Sequence, residues 1–381
     1  MTKYAIPFNK PHIAGNELKY IEQAVLEEGH ISGDGLFTSK CHALMEQVMD
    51  VPKALLTTSC THALEMSALL LDIQPGDEVI TPSFTFVSTI NAFVLRGAKP
   101  VFADVRPDTL NIDETQLEGL INERTRAIIV VHYAGVACEM DTIMDIANRH
   151  GIPVIEDNAH ALFGKYKGQF TGTFGVMATQ SFHETKNIMS GEGGALLINA
   201  QKYIERAEII REKGTNRSRF FRGQVDKYTW VDLGSSYLPS DIIAAYLYAQ
   251  LEARDDIQAK RSDIWTYYND NLPEWAALHN VQLPTIPEGI EQTYHMYYIL
   301  MPSLDTRQRL IDHLKGHGIL SVFHYLPLHL SEMGQKLGGQ TGDCPVTEDI
   351  SDRLLRLPFY NTMTREEQDR VIAGLYAFED W

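Results

Sequence analysis

The chain has 381 residues, which is too long for one ordinary core and suits a large domain with a smaller one. Its hydrophobic content of 44%, with 27 glycines and 16 prolines, is typical of a folded globular protein. The formal net charge of −17 argues against a nucleic-acid partner and against binding to an anionic membrane surface. It does not exclude a small anionic substrate, for which a few local cations suffice.

The first residues, 1–7, lack the apolar segment of a signal peptide, and the sequence contains no apolar run of about 18 residues that could span a bilayer. We therefore expect a cytoplasmic protein. The four cysteines form neither a CxxC pair nor a zinc-like spacing, so they predict reduced, independent thiols and no metal site.

Short apolar runs alternate with helical patterns from residue 54 onwards. Strands are predicted at 54–57, 78–80, 99–103, 128–131 and 153–155, and helices at 61–71, 87–95, 114–121 and 140–149. Strands that are apolar throughout and separated by helices are typical of a mainly parallel sheet covered on both faces. The sequence therefore predicts an α/β fold.

The pattern changes beyond residue 200. It predicts a helix at 203–212, a long ordered loop at 213–223, a helix at 241–261, and then strand, helix and strand at 294–300, 306–317 and 321–325. We place a domain boundary near residue 250. The large domain, with the N-terminal segment, is then 1–250, and a smaller C-terminal α+β domain is 251–381.

Polar residues follow several of the predicted strands, where ligands bind in open parallel sheets. Ser59, Cys60 and Thr61 follow the first strand and open a helix, so they suit a phosphate, although simple helix capping gives the same pattern. Asp157 follows the strand at 153–155 and either meets a ligand or caps the next helix. Phe86, after the second strand, either lies on a ring or packs in the core.

Lys186 stands just before a glycine-rich stretch, 191–194. Such a lysine is either a surface charge or a buried amine with a lowered pKa, and only the second can bond to an aldehyde. His160 and His183 are either structural or catalytic. Taken together, these residues match the phosphate, ring, ring nitrogen and aldehyde of pyridoxal 5′-phosphate. The sequence has neither a Walker A motif nor a GxGxxG turn, which removes the commonest nucleotide sites.

Six segments together resemble the DegT/DnrJ/EryC1/StrS family of fold-type I aminotransferases, which act on nucleotide-linked keto sugars. These segments are 32–35, 58–61, 82–86, 156–160, 181–187 and 325–329. The resemblance covers nearly the whole chain and implies that Lys186 forms the Schiff base with pyridoxal phosphate. It implies that Asp157 partners the pyridine nitrogen and that Phe86 stacks on the ring. The other implied cofactor positions are His160 near the ring hydroxyl, Ser59, Cys60, Thr61 and Ser181 at the phosphate, and His183.

One subgroup of this family fits best, on the segments 131–141, 213–218 and 220–230. Its members use L-glutamate to aminate C4 of dTDP-4-oxo-6-deoxy-D-glucose, giving dTDP-4-amino-4,6-dideoxy-D-galactose and 2-oxoglutarate for surface polysaccharides such as enterobacterial common antigen. The resemblance also implies a homodimer with shared active sites. Ser236 replaces an asparagine that, in the family, reaches the cofactor phosphate of the partner subunit.

The substrate diphosphate needs cations, and the segment after the helix at 203–212 offers several. Arg217, Arg219, Arg222 and Lys227 are predicted to bind it, unless they form a solvated face. His324 and Tyr325 are predicted to contact the sugar.

Alternative functions stay open at this stage. They are amination at C3, or at C4 with opposite stereochemistry, of a related nucleotide keto sugar, a cofactor-dependent deoxysugar dehydratase, and a non-catalytic cofactor-sensing regulator. The dehydratases of this fold carry histidine where this chain has Lys186. A regulator would need a DNA-binding module, which the short N-terminus and acidic balance do not provide.

Overall fold

The computed structural model describes residues 4–381 and contains a seven-stranded sheet. Its strands are β1 (Lys53–Thr57), β2 (Glu78–Pro82), β3 (Lys99–Ala103), β4 (Thr125–Val131), β5 (Val154–Asp157), β8 (Met177–Ser181) and β9 (Gly194–Ile198), in the spatial order β1-β9-β8-β5-β4-β2-β3. The short strands β6 (Lys165–Tyr166) and β7 (Gln169–Phe170) pair with β10 (Ile290–Glu291), and β11 (Tyr298–Leu300), β12 (Val322–Phe323) and β13 (Leu354–Arg356) form a third sheet.

Helices connect and cover these strands. They are α1 (Glu17–Glu22), α2 (Leu36–Met49), α3 (Cys60–Leu70), α4 (Ser88–Val94), α5 (Leu117–Leu120), α6 (Met140–His150), α7 (Ile204–Arg211), α8 (Arg217–Phe221), α9 (Asp241–Glu252), α10 (Arg254–Asn271), α11 (Pro273–Leu278), α12 (Leu304–Gly316), α13 (Glu332–Lys336), α14 (Pro345–Arg353) and α15 (Arg365–Tyr376). Within the described range, no helix is both long and apolar enough to cross a membrane.

The large sheet is mainly parallel, as predicted. The pairs β2 with β3, β2 with β4, β4 with β5, and β5 with β8 are parallel, and only β9 runs antiparallel to its neighbours β8 and β1. Helices cover both faces, which explains why most of these strands are apolar throughout. The predicted α/β fold is confirmed.

Two strands of the sheet, β8 and β9, are not among the predicted strands. The strand β8 includes Thr179 and Gln180, whose side chains are fully buried, and polar residues are uncommon in strand interiors, so the pattern of apolar runs does not reveal it. The strand β9 begins with Gly194 but continues as an apolar run over 195–198, so its sequence signal was present and was missed.

Two predicted elements differ from the structure. The helix predicted at 241–261 is two helices, because the backbone of Ala253 (φ −87°, ψ 10°) leaves helical geometry between α9 and α10. The loop predicted at 213–223 contains the five-residue helix α8. Apolar side chains continue through the break at Ala253, so their spacing does not reveal it.

The smaller C-terminal part has its own core. Residues of α10, α12 and α15 pack there with Tyr297, Leu310 and Val371 among the fully buried side chains. Ile6 packs into the same core, and its N–H donates to the Gly318 carbonyl at 3.0 Å. The N-terminal segment therefore lies against the residues beyond 250, while the predicted division at residue 250 stays a prediction.

A buried aspartate joins two helices that are far apart in the chain. Asp241 opens α9, yet its carboxylate accepts hydrogen bonds from the N–H groups of Phe37 and Thr38, at 3.1 and 2.8 Å, in the first turn of α2. The Thr38 hydroxyl donates a third bond at 2.8 Å. Gly35 leaves room for this contact, because a Cβ added there would lie 2.5 Å from Asp241 Cγ. The carboxylate thus caps α2 from another helix.

We expect Asp241→Ala to lower the free energy of unfolding by about 2–3 kcal/mol, because it leaves two buried N–H groups without an acceptor. Urea denaturation followed by circular dichroism measures the change. The matched control is Asp270→Ala, at an exposed position near the end of α10, which should change stability by less than about 0.5 kcal/mol. Equal unfolding midpoints for the two variants would contradict the capping role.

Candidate active site

The strand register brings distant residues to one edge of the large sheet. Thr57 at the end of β1 lies opposite Gly194, and Gly194 lies opposite Ser181 at the end of β8. Asp157, the last residue of β5, lies opposite Thr179. A cavity of about 870 Å³ opens at this edge. The sheet therefore collects the polar residues that follow its strands, as the sequence predicts for parallel strands.

The first turn of α3 forms one wall of the cavity. Ser59 caps the helix, accepting a bond from the His62 N–H at 3.1 Å, while the N–H groups of Cys60 and Thr61 have no acceptor within residues 4–381. Gly194 packs directly beneath this turn, because a Cβ added there would lie 2.4 Å from the Cys60 nitrogen. Free N–H groups at the start of an 11-residue helix fit a phosphate.

Asp157 lies on the floor of the cavity. One carboxylate oxygen accepts a bond from the Thr89 hydroxyl at 2.8 Å, and the other accepts one from the Ala159 N–H at 3.2 Å. Burial raises the pKa of Asp157, while these two bonds and the charge of Lys186 act in the opposite direction. Asp157 therefore satisfies a local backbone group and still presents a buried carboxylate to a ligand.

Lys186 lines the same cavity and is partly buried. Burial lowers the pKa of its amine to about 8, opposed by the nearby Cys60 and Asp157 and assisted by the charge of Arg356. The geometry thus favours the second of the two interpretations of this lysine, an amine in a low-dielectric site that is partly neutral near physiological pH.

His160 is held as a neutral ring. Its Nδ1 accepts a bond from the Ala134 N–H at 3.3 Å, so this network assigns the ring proton to Nε2. Burial, together with the charges of Lys186 and Arg356, lowers the pKa of His160 far below its ordinary value. A neutral imidazole with Nε2–H is a hydrogen-bond donor suited to a phenolic oxygen of a ligand.

Sequence reasoning missed two residues that hold this arrangement. The side chain of Asn187 donates to the Thr293 carbonyl at 2.6 Å, which leaves its oxygen to accept from Nδ1 of His295 at 2.8 Å. The His295 ring stacks on His160 with the ring centroids 4.2 Å apart. Asn187 directly follows Lys186, and its polar side chain after the lysine is the sequence signal that could have pointed to it.

Of the remaining predicted cofactor residues, three line the cavity and one does not. Phe86, Ser181 and His183 line the cavity. The Phe86 side chain is 56% exposed, and its ring lies 6.3 Å from that of Tyr325. Ser236 is exposed and does not line the cavity of its own chain.

The predicted substrate residues also separate into two groups. His324 and Tyr325 line the cavity, and Nδ1 of His324 is 2.7 Å from the Tyr133 hydroxyl. The four predicted diphosphate ligands do not line it. Arg217 pairs with Glu212 at 3.1 Å, Arg219 pairs with Glu205, Arg222 pairs with Glu208, and Lys227 is exposed.

The groups at the cavity fit pyridoxal phosphate. Free N–H groups at α3 match its phosphate, the buried Asp157 carboxylate matches a protonated ring nitrogen, and the low-pKa amine of Lys186 matches its aldehyde. The sequence 11–376 matches the profile of the DegT/DnrJ/EryC1/StrS aminotransferase family. The chain belongs to this family. It is a sugar aminotransferase that depends on pyridoxal phosphate.

Known relatives extend this comparison over nearly the whole chain. The uncharacterised protein MJ1066 of Methanocaldococcus jannaschii is 36% identical, covering 88% of each chain. The spore coat polysaccharide biosynthesis protein SpsC of Bacillus subtilis is 31% identical, covering 97% of this chain and 96% of SpsC. Among solved structures, the PLP form of the putative sugar aminotransferase Spr1654 of Streptococcus pneumoniae is 27% identical, with a TM-score of 0.89 and 98% of each chain covered.

The lowered pKa of Lys186 predicts a pH dependence for the protein freed of cofactor. Only the neutral amine attacks an aldehyde, and its fraction rises as the pH rises through the pKa. We expect a small aldehyde, trapped with borohydride, to label Lys186 with a midpoint near pH 8, below the ordinary value of 10.5. Peptide mass spectrometry measures this labelling.

A pair of carboxylate variants tests the cause of this shift. Asp157→Asn should move the midpoint lower, because the Asp157 charge raises the pKa of Lys186. Glu184→Gln, at an exposed position two residues from the lysine, should leave it unchanged. A midpoint near 10.5 in the unaltered protein would show that burial does not control this amine.

Proposed function

We propose that this enzyme transfers the amino group of L-glutamate to C4 of dTDP-4-oxo-6-deoxy-D-glucose. The products are dTDP-4-amino-4,6-dideoxy-D-galactose and 2-oxoglutarate. The observation that carries amino transfer is the low-pKa amine of Lys186 in the same cavity as the Asp157 carboxylate. The similarity of segments 131–141 and 213–230 to one subgroup of the family supports the choice of sugar.

Lys186 and Asp157 divide the proton chemistry between them. When bound, pyridoxal phosphate supplies an aldehyde carbon for the amino group and a protonated ring that accepts the electron pair released at the Cα of the donor. The neutral Lys186 amine removes the Cα proton and later returns a proton, acting as base and then acid. Asp157 keeps the ring nitrogen protonated, since its buried carboxylate favours a cation beside it.

The other predicted contacts keep the ligand in place. In this proposal the first turn of α3 and Ser181 bind the cofactor phosphate, while Phe86 covers one face of its ring. His160 donates from Nε2 to the ring hydroxyl oxygen. His324 and Tyr325 contact the sugar.

We further propose a homodimer in which each subunit completes the cavity of the other. Large apolar side chains are exposed on and after α8, where Phe221 is 70%, Trp230 75% and Leu233 51% exposed. Such a surface is costly for a monomer and typical of an interface. Ser236 and the cations Arg217, Arg219, Arg222 and Lys227 lie in or beside this region. In this proposal they contact the phosphate groups in the partner's cavity.

In this proposal the product is used for the synthesis of a surface polysaccharide. The name of SpsC, a spore coat polysaccharide biosynthesis protein, supports a role of this kind. Lys186 argues against the dehydratase alternative, which uses histidine at this position. No observation in the described residues favours amination at C3 over C4.

The product itself tests the proposed reaction. We expect the enzyme, given dTDP-4-oxo-6-deoxy-D-glucose and glutamate, to form a sugar with an axial amine at C4, identified by mass spectrometry and proton NMR. Lys186→Ala should reduce turnover by more than about a thousandfold, because general base and covalent contributions are both lost. An amine at C3 would reject the proposed specificity while leaving amino transfer intact.

A single substitution tests the dimer. Trp230→Asp should give monomers in sedimentation velocity, because a charge at a buried interface position is costly. Leu278→Asp is the matched control, since Leu278 is 78% exposed on α11, outside the proposed interface. Unaltered dimers for Trp230→Asp, or monomers in the unaltered protein, would contradict the proposed assembly.

A further inference from the structure

Arg356 is a cation in the active-site cavity that none of the steps above uses. It ends β13 in the smaller part of the molecule and lines the cavity together with Lys186. Its Nη2 donates to the Phe323 carbonyl at 3.1 Å, and its guanidinium lies 4.6 Å from the centre of the Phe8 ring. Its Nε is buried and has no hydrogen-bond partner in the part of the chain that the structure describes.

Within residues 4–381, no carboxylate pairs with Arg356. The groups that raise its pKa are Tyr133 and Tyr325, neither of which is a carboxylate, and burial lowers it. Its own charge lowers the pKa of Lys186 and of His160, which shows that it acts on the reactive part of the cavity. Arg356 is partly buried, with its Nε shielded from water, and a cation in such a place without an anion beside it is costly. An anionic ligand in the cavity would supply the missing counter-charge.

The buried arginine Arg261 differs from Arg356 in the number of its hydrogen-bond partners. Arg261 is only 3% exposed, but its guanidinium donates to the carbonyls of Tyr294 and His295, at 2.9 and 2.5 Å, and to the Asn361 side chain at 2.8 Å. It serves to join segments of the protein. Arg356 makes a single such bond with the described residues and lines a cavity.

We propose that Arg356 binds the carboxylate on the Cα of the amino donor. This rests on the proposed use of an amino acid such as glutamate as donor. A planar guanidinium matches a carboxylate in geometry as well as charge. The Cα of the donor must meet the Lys186 amine, and its carboxylate is one bond away from that carbon. The diphosphate of a nucleotide sugar is separated from the ketone carbon by the sugar ring.

The neighbours of Arg356 fix its position for this contact. Phe8, whose ring lies against the guanidinium, is held by a hydrogen bond from the Phe359 N–H to its carbonyl at 3.1 Å. The carbonyl of Phe323 accepts the hydrogen bond from Nη2 of Arg356 and so fixes that end of the guanidinium. Both aromatic residues line the cavity and limit the water that competes for the cation.

Equilibrium binding to the cofactor-loaded enzyme tests this proposal. The probes are glutarate, a dicarboxylate that cannot react, and dTDP, which carries the phosphates without the sugar. We expect Arg356→Met to weaken glutarate binding by tenfold or more in calorimetry and to leave dTDP binding within twofold. Arg356→Lys, which keeps the charge but loses the planar fork, should give an intermediate loss.

Arg370→Met is the matched control, because it removes the same charge from an exposed position on α15 and should leave both affinities unchanged. The absorbance of the bound cofactor and the thermal unfolding of each variant check that the site is intact, and Arg356→Lys carries the test if Arg356→Met does not fold. Weaker dTDP binding with unchanged glutarate binding would assign Arg356 to the nucleotide phosphates and overturn the proposal.

Unchanged affinity for both probes would also overturn it. Glutarate binding does not depend on which sugar the enzyme accepts. A wrong assignment of the sugar and a wrong role for Arg356 therefore give different results.

Discussion

The active site depends on holding one partly buried amine and one buried carboxylate in the same cavity. Lys186 and Asp157 affect one another's pKa, and burial acts on both towards the neutral form. Such an arrangement needs a rigid frame, which the carboxyl edge of the parallel sheet provides. Asp157 belongs to a strand of that sheet, and Lys186 lies in the turn between the next two strands.

Three histidines that line the cavity with Lys186 have strongly lowered pKa values and are therefore neutral. Burial is the main reason why the pKa values of His160, His295 and His324 all lie far below the ordinary value, and the charge of Lys186 lowers all three further. The bonds of Asn187 fix the ring of His295, and that ring stacks on His160. These histidines therefore present neutral hydrogen-bonding groups to the cavity.

Local sequence patterns predicted the parallel strands and the residues after them, because both features depend on neighbouring residues. The ends of the strands at 54–57 and 153–155 gave Ser59, Cys60, Thr61 and Asp157, which line the cavity. The position of Asn187 after Lys186 marks it as a candidate, but its contacts could not be predicted in this way, since they involve partners more than a hundred residues away. The role of Arg356 could not be predicted either, since it depends on the lack of a charged partner among the described residues. Likewise, the break at Ala253 is invisible in the spacing of apolar residues.

The sequence by itself determined the fold class and the family and singled out Lys186 as the candidate lysine, because these follow from periodicity and from motifs that each lie in one short segment. Only the tertiary structure decided that the lysine is an amine with a lowered pKa and that His160 carries its proton on Nε2. It also separated Arg356 from the arginines that pair with glutamates on the surface. Burial, hydrogen-bond partners and missing counter-charges are properties of packed segments, so no single segment of the sequence contains them.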